Sequence, residues 1–127
     1  MFDLAQIPLF ALADRKLAWI DQRQQVLAQN IANADTPGWR AHDVKPFAAM
    51  LATRPIALAA AEGSSLAPPA LAGAQGTVTD QTEVAPDGNG VALDRELMKI
   101  ADTDTAQTLT LQLMKTYLGM FRTTIGR

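Results

Sequence analysis

Residues 93–127 read LDRELMKIADTDTAQTLTLQLMKTYLGMFRTTIGR. Leu93, Leu97, Ile100, Asp104, Gln107, Leu111, Met114, Leu118, Phe121 and Ile125 fall at alternating steps of four and three. That is a heptad seam, the spacing that keeps one stripe of a helix turned toward a partner. Asp94 is a candidate N-cap, with Leu93 and Met98 placed as its hydrophobic staple. Acids at the start (Asp94, Glu96) and bases at the end (Arg122, Arg127) suit the helix dipole. The weak stretch is Asp102-Thr103-Asp104-Thr105, poor helix formers with Asp104 in the seam. Either the helix frays there or polar seam positions fix its register.

The opposite end of the chain repeats the rhythm. Phe10, Ala13, Leu17, Ile20, Gln24, Leu27, Ile31 and Ala34 again alternate three and four, and Leu12, Trp19 and Val26 run beside them at steps of seven. Thr36-Pro37-Gly38 then stops the helix, because proline pushes the residue before it toward extended geometry and cannot continue the ladder. The sequence thus predicts a mainly α fold: two long terminal helices in a coiled-coil hairpin, with an irregular, partly extended middle. Residues 1–34 form the N-terminal coiled-coil helix and residues 93–127 the C-terminal one. Residues 35–54 form an elbow and extended segment, in which Trp39 to Phe47 run extended and Ala48 to Arg54 form a short helix. Residues 55–92 are rich in Ala, Pro and Gly and read as a flexible loop, with one short strand within Gly76–Val84 and a tight turn at Pro86–Gly90.

Composition narrows the function. Thirteen acids against eleven Lys and Arg leave a net charge of −2, too balanced for a basic grip on nucleic acid. The chain has no cysteine and one histidine, which excludes thiolate chemistry and argues against zinc or Ser-His-Asp catalysis. His42 has no second ligand at helical spacing, and Ser64 and Ser65 lie far from it. Asp87-Gly88-Asn89-Gly90 begins like a calcium loop, but Ala92 and Met98 stand where that loop needs glycine and glutamate. No catalytic residue, cofactor or metal site is expected. No apolar run approaches the ~18 residues of a membrane span. The opening Met1-Phe2-Asp3-Leu4 carries an acid where a secretory signal needs a positive charge, so no such signal is expected.

Two helices sharing one seam make a marginal object. The seam's larger apolar residues are Phe10, Leu17, Ile20, Leu27 and Ile31 on one helix. On the other they are Leu97, Ile100, Leu111, Met114, Leu118, Phe121 and Ile125. Leu12, Trp19, Val26, Leu109, Leu113 and Met120 lie off that seam and would face water in a two-helix monomer. Apolar stripes of that kind usually have a partner. The residues alone therefore describe an assembly protein whose helices pack against neighbours.

At the end of the first helix stands Asn30-Ile31-Ala32-Asn33-Ala34-Asp35-Thr36-Pro37-Gly38-Trp39. This resembles the signature of the flagellar axial proteins, the rod, hook and hook-cap relatives: Asn-x-Ala-Asn-x-x-Thr-Pro-Gly-aromatic. Asn30, Ala32, Asn33, Thr36, Pro37, Gly38 and Trp39 carry the match. Arg23–Gln29 leads into it and Asp43-Val44-Lys45-Pro46-Phe47 follows. Pro86–Glu96 and Phe121–Ile125 carry further likeness. With the short length, these resemble the proximal rod proteins of the family, over about residues 9–51 and 85–127.

The resemblance implies a structural subunit of the rod of the bacterial flagellar basal body, which assembles through its terminal helices. It implies partners: further copies of the chain, other rod proteins, and a FliE-type adaptor at the MS ring and export gate. It implies a periplasmic rod location, reached through the flagellum's own type III export channel without a cleaved signal peptide. A helical adaptor or export chaperone of the same secretion system is the alternative. Physically, the signature reads as a rigid elbow. Asn30 and Asn33 lie where the last carbonyls of the helix need donors, Pro37-Gly38 suits a type II turn with φ > 0 at Gly38, and Trp39 packs back over the helix end.

Overall fold

The computed structural model describes residues 7–53, 77–79 and 88–126. Helix α1 spans Pro8–Ala32, strand β1 His42–Val44, helix α2 Phe47–Thr53, strand β2 Thr77–Thr79 and helix α3 Leu93–Ile125. The molecule is mainly helical, with long helices toward both ends. The expected short helix at 48–54 is α2, shifted by one residue, and β2 falls inside the expected 76–84 window. Most of the 55–85 segment lies outside the described residues, as does Pro86-Asp87 of the expected turn.

Helix α1 starts with Pro8 in its first turn, where a missing N–H costs nothing. It runs antiparallel to α3. The rings of Phe10 and Phe121 meet at one end, with centroids 6.3 Å apart. Gln24 donates to Asp104 at 2.8 Å in the middle, and Asn30 donates to Glu96 at 2.8 Å at the other end. Phe10, Ile20 and Leu27 are buried, and Leu17 and Ile31 are half-buried.

The stripe of α3 that faces α1 differs from the expected seam. Ile100, Gln107, Met114, Leu118 and Phe121 are half-buried as the heptads require. Between them, however, Glu96, Thr103 and Thr110 turn inward, in place of Leu97, Asp104 and Leu111. Leu97 is 51% exposed, Leu111 49% and Ile125 66%, so these three do not pack within the hairpin. The rotation is one residue. It has a local cause: Glu96 is drawn inward by Asn30, and Thr103 returns its hydroxyl to the Lys99 carbonyl at 2.7 Å. A straight helix also drifts by ~20° per heptad from a strict seven-residue repeat, so one stripe cannot stay buried for nine turns.

One further expectation is corrected, and one open alternative is decided. Asp94 is not the N-cap: the cap is Ala92, without a side-chain bond, and Asp94 and Glu96 are the acids of the first turn. Nor does α3 fray at 102–105. The stretch is helical throughout, Thr103 and Thr105 place their hydroxyls on carbonyls four residues back, and Gln24 ties Asp104 across to α1.

The middle segment supplies the remaining core. Strand β1 pairs antiparallel with β2, with Asp43 opposite Val78. Val44 packs with Trp19 and Ile20, and Phe47 and Met50 of α2 close over them. Trp19 is therefore covered inside the chain, not water-facing. Its indole N–H donates to the Lys45 carbonyl at 2.8 Å, and its ring lies 6.0 Å from that of Phe47. Leu109, Leu113 and Met120 remain half or more exposed, as expected. No described helix is long and apolar enough to cross a membrane.

Candidate functional site

The signature occupies the corner where α1 gives way to β1. Asn33 caps α1. Its backbone N–H bonds the carbonyls of Gln29 and Asn30, and its side-chain amide adds a second donor to the Gln29 carbonyl at 2.8 Å. This is the expected service to orphan carbonyls at a helix end. The Thr36 hydroxyl donates to Asn33 Oδ1 at 3.2 Å and so ties the cap to the turn. The Thr36 carbonyl then accepts the Trp39 N–H at 3.2 Å. Pro37 stands second in that four-residue turn and Gly38 third, with φ +78°, the pattern of a type II turn. Ala32, Thr36, Pro37 and Gly38 are exposed.

Asn30 does something different from Asn33. It is 1% exposed, and its amide reaches across the corner instead of back along its own helix. Nδ2 donates to the His42 carbonyl at 2.6 Å, and Oδ1 accepts the His42 N–H at 3.0 Å. The side chain thus imitates a strand neighbour and pins the first residue of β1 to the last turn of α1. The second Nδ2 proton goes to Glu96 Oε2 of α3. One buried amide therefore joins three elements.

Charges extend this clasp. Lys99 Nζ lies 3.0 Å from Glu96 Oε1 and 4.0 Å from Asp43 Oδ2. Arg23 grips Asp43 with a two-bond fork, Nε and Nη2 each at 3.0 Å, while Asp43 Oδ1 also accepts the Val44 N–H. Two cations and two anions are interleaved, so Glu96, nearly fully buried, keeps compensating partners. Arg23→Lys removes the fork while keeping the charge. The expected result is a loss of about 1 kcal/mol in urea unfolding, with helix content unchanged by circular dichroism.

A third joint closes the corner from the other side. The Gly90 N–H bonds the Trp39 carbonyl at 2.8 Å, within a parallel bridge between Arg40 and Gly90. Gly88, at φ +83°, lies so close to Gly38 that a Cβ on it would stand 3.5 Å from the Gly38 nitrogen. Asn89 is buried and accepts the Val91 N–H. The half-buried Trp39 ring stands edge-on to His42, centroids 6.2 Å apart, and Trp39 Nε1 and His42 Nδ1 are both shielded without a hydrogen-bond partner. The elbow is thus fastened both to β1 and to the segment that launches α3.

Among the described residues no cluster of His, Cys, Asp or Glu is arranged to hold a metal ion. The charged groups of the clasp answer one another, and what the arrangement does is fix shape. Sequence reading picked out both asparagines and the turn. It gave Glu96 only to the helix dipole and assigned no role to Arg23, Asp43 or Lys99, although Arg23 and Asp43 lie in the quoted motifs. No periodicity marks a charged residue as buried.

The comparison with known proteins bears on this corner. A family model described as flagella basal body rod protein matches residues 19–40, from Trp19 through the clasp residues Arg23 and Asn30 to the bridge at Arg40. The flagellar basal body rod protein FlgB of Agrobacterium fabrum is 32% identical over 127 residues, 95% of each chain. The chain belongs to the FlgB family of flagellar basal body rod proteins. The FlgB of Escherichia coli is 38% identical over 107 residues, covering 73% of this chain and 75% of its own. The FlgB of Salmonella typhimurium is 36% identical over 111 residues, covering 77% and 75%. The FlgB likeness thus runs far beyond the signature, into α3, which supplies the other half of the clasp.

Proposed function

We propose that this chain is a self-assembling structural subunit of the proximal rod of the bacterial flagellar basal body, working by shape and without catalysis. The observation that carries this reading is the 32% identity to a FlgB protein across 95% of both chains. The physical design agrees with it. A clasped hairpin presents large apolar side chains outward on α3, as a subunit awaiting neighbours does. Its partners in this reading are further copies of itself, other rod proteins and a FliE-type adaptor at the MS ring and export gate. Its place is the periplasmic rod, reached through the flagellar export channel with its N-terminus uncleaved. The assembly residues include Leu97, Leu111 and Ile125, which the hairpin leaves open.

The test is mass spectrometry of detergent-purified basal bodies. The expected result is this chain in the basal body, with an N-terminal peptide starting at or next to Met1. Finding it only in the cytosol while other rod proteins are assembled would favour the export chaperone.

A further inference from the structure

Helix α3 carries two apolar flanks that differ from each other. At about 100° per residue, Leu109, Leu113, Tyr117 and Met120 lie on one side of the stripe facing α1. Leu93, Leu97, Asp104 and Leu111 lie on the other. The inner edge of the first flank, Leu113 and Tyr117, is a wall of a groove. Together with Leu9, Leu12, Lys16 and Phe47 it bounds about 300 Å³ between α1 and α3. The second flank is an exposed ridge, which α1 reaches through the Gln24 bond to Asp104.

The groove is largely apolar, and Lys16 is the one charged residue among the described residues of its lining. Its ammonium lies 4.4 Å from the Trp19 ring centre and 4.6 Å from that of Phe47. Burial, and secondarily the positive charge of Arg23, hold it below the usual lysine pKa. Among the described residues it has aromatic faces for company and no carboxylate partner. The ridge is apolar except at Asp104, which is exposed and bonded through one oxygen to Gln24. The spacings match. Lys16 stands seven residues from Leu9 along α1, and Asp104 stands seven residues from Leu111 along α3.

We propose that the ridge Leu97–Asp104–Leu111 of one copy seats in the groove of the next copy, with Asp104 against Lys16 and Leu111 beside Leu9. This rests on the rod-subunit reading and names the surfaces it uses. Because groove and ridge are different patches, the contact is head-to-tail and propagates instead of closing into a dimer. Its register follows from the pairing. The resident pairs Gln24 with Asp104 and Phe10 with Phe121 set Lys16 level with about Met114 and Leu9 with about Arg122. The incoming α3 therefore runs parallel to the resident one and is displaced by about ten residues, roughly 15 Å along the axis. The ammonium that the chain leaves among aromatic rings gains its carboxylate only in the assembly.

The absence of cysteine makes the test direct. Chains carrying Leu9→Cys with Leu111→Cys are assembled into basal bodies and treated with a short bis-maleimide. Met120→Cys with Leu111→Cys serves as a second pair, and Leu9→Cys with Leu97→Cys as a control placed about 20 Å out of register. The expected result is a ladder of cross-linked multiples of this chain from the first two pairs and only monomer from the control. Rods that contain the chain but give no ladder with either pair overturn the proposed surfaces and leave the rod reading standing. A ladder from the control pair alone, or cross-links only to a different protein, also overturns them. Absence of the unsubstituted chain from the rod overturns the rod reading itself.

Discussion

Asn30→Asp is expected to unfasten the corner and lower the unfolding free energy by about 3–5 kcal/mol, because it places a second carboxylate against one already buried. The wild-type amide gives one proton to the His42 carbonyl and one to Glu96 Oε2, 2.8 Å away, and accepts the His42 N–H. Aspartate keeps the acceptor and loses both donors. The carboxyl pair can relieve itself only by sharing a proton, which raises the pKa of one member in the folded state. A raised folded pKa means that the folded form holds the proton more tightly than the unfolded one. The deficit of the variant therefore shrinks as pH falls and is fullest above the raised value. Urea unfolding followed by circular dichroism at two pH values measures this. Adding Glu96→Gln removes the repulsion and restores a donor, but not the one His42 needs. The double variant is expected to recover roughly half of the loss. A single variant as stable as wild type would show that Asn30 does not bind the three elements together.

Gly38→Val is expected to abolish or strongly reduce swimming while leaving both helices formed. At φ +78° the glycine sits where L-residues are penalised by roughly 1–2 kcal/mol, and a β-branched side chain fares worst. The strain is conformational, since a Cβ there would meet nothing within 4 Å. The expected order in soft-agar swimming is therefore Gly, then Asn, then Ala, then Val, following tolerance of positive φ and not side-chain volume. Such a variant relieves its strain by opening the turn. That releases the Trp39 N–H from Thr36 and shifts the Trp39 carbonyl that Gly90 holds. The angle between α1 and the segment leading into α3 then ceases to be the same in every subunit. Normal motility of the valine variant would contradict the elbow reading.

How much of this was legible in the sequence depends on distance along the chain. The end of α1, the turn at 36–39 and the rhythm of both helices depend on neighbours a few residues apart, and those could be read. Asn33 acts four residues back and behaves as expected. Asn30 acts 12 and 66 residues away, and its role emerged only with the fold. The Arg23–Asp43 fork was hidden for the same reason.

The seam shows a second limit. A heptad template finds the rhythm but not its phase, and one residue of phase is about 100° of rotation. The template chose Leu97 and Leu111 because they are the most apolar. The chain buries Glu96 and Thr103 and half-buries Thr110 beside them, and leaves the leucines out. For a monomer that choice is a defect, and for a subunit it is a supply of contact surface. Trp19 packs, but against a partner that its helix does not announce. In a bare two-helix hairpin it would face water, and nothing in its own helix says that Val44 and Phe47 fold over it.

The central claim is that the clasped hairpin is itself the repeating unit of the rod. It is tested most directly by cryo-electron microscopy of the proximal rod in which this chain resides, at a resolution that shows side chains. The account predicts Asn30 against Glu96 and His42, and Phe10 against Phe121, within each copy. Density in which α1 and α3 of one copy are parted, or paired in another register, would contradict it.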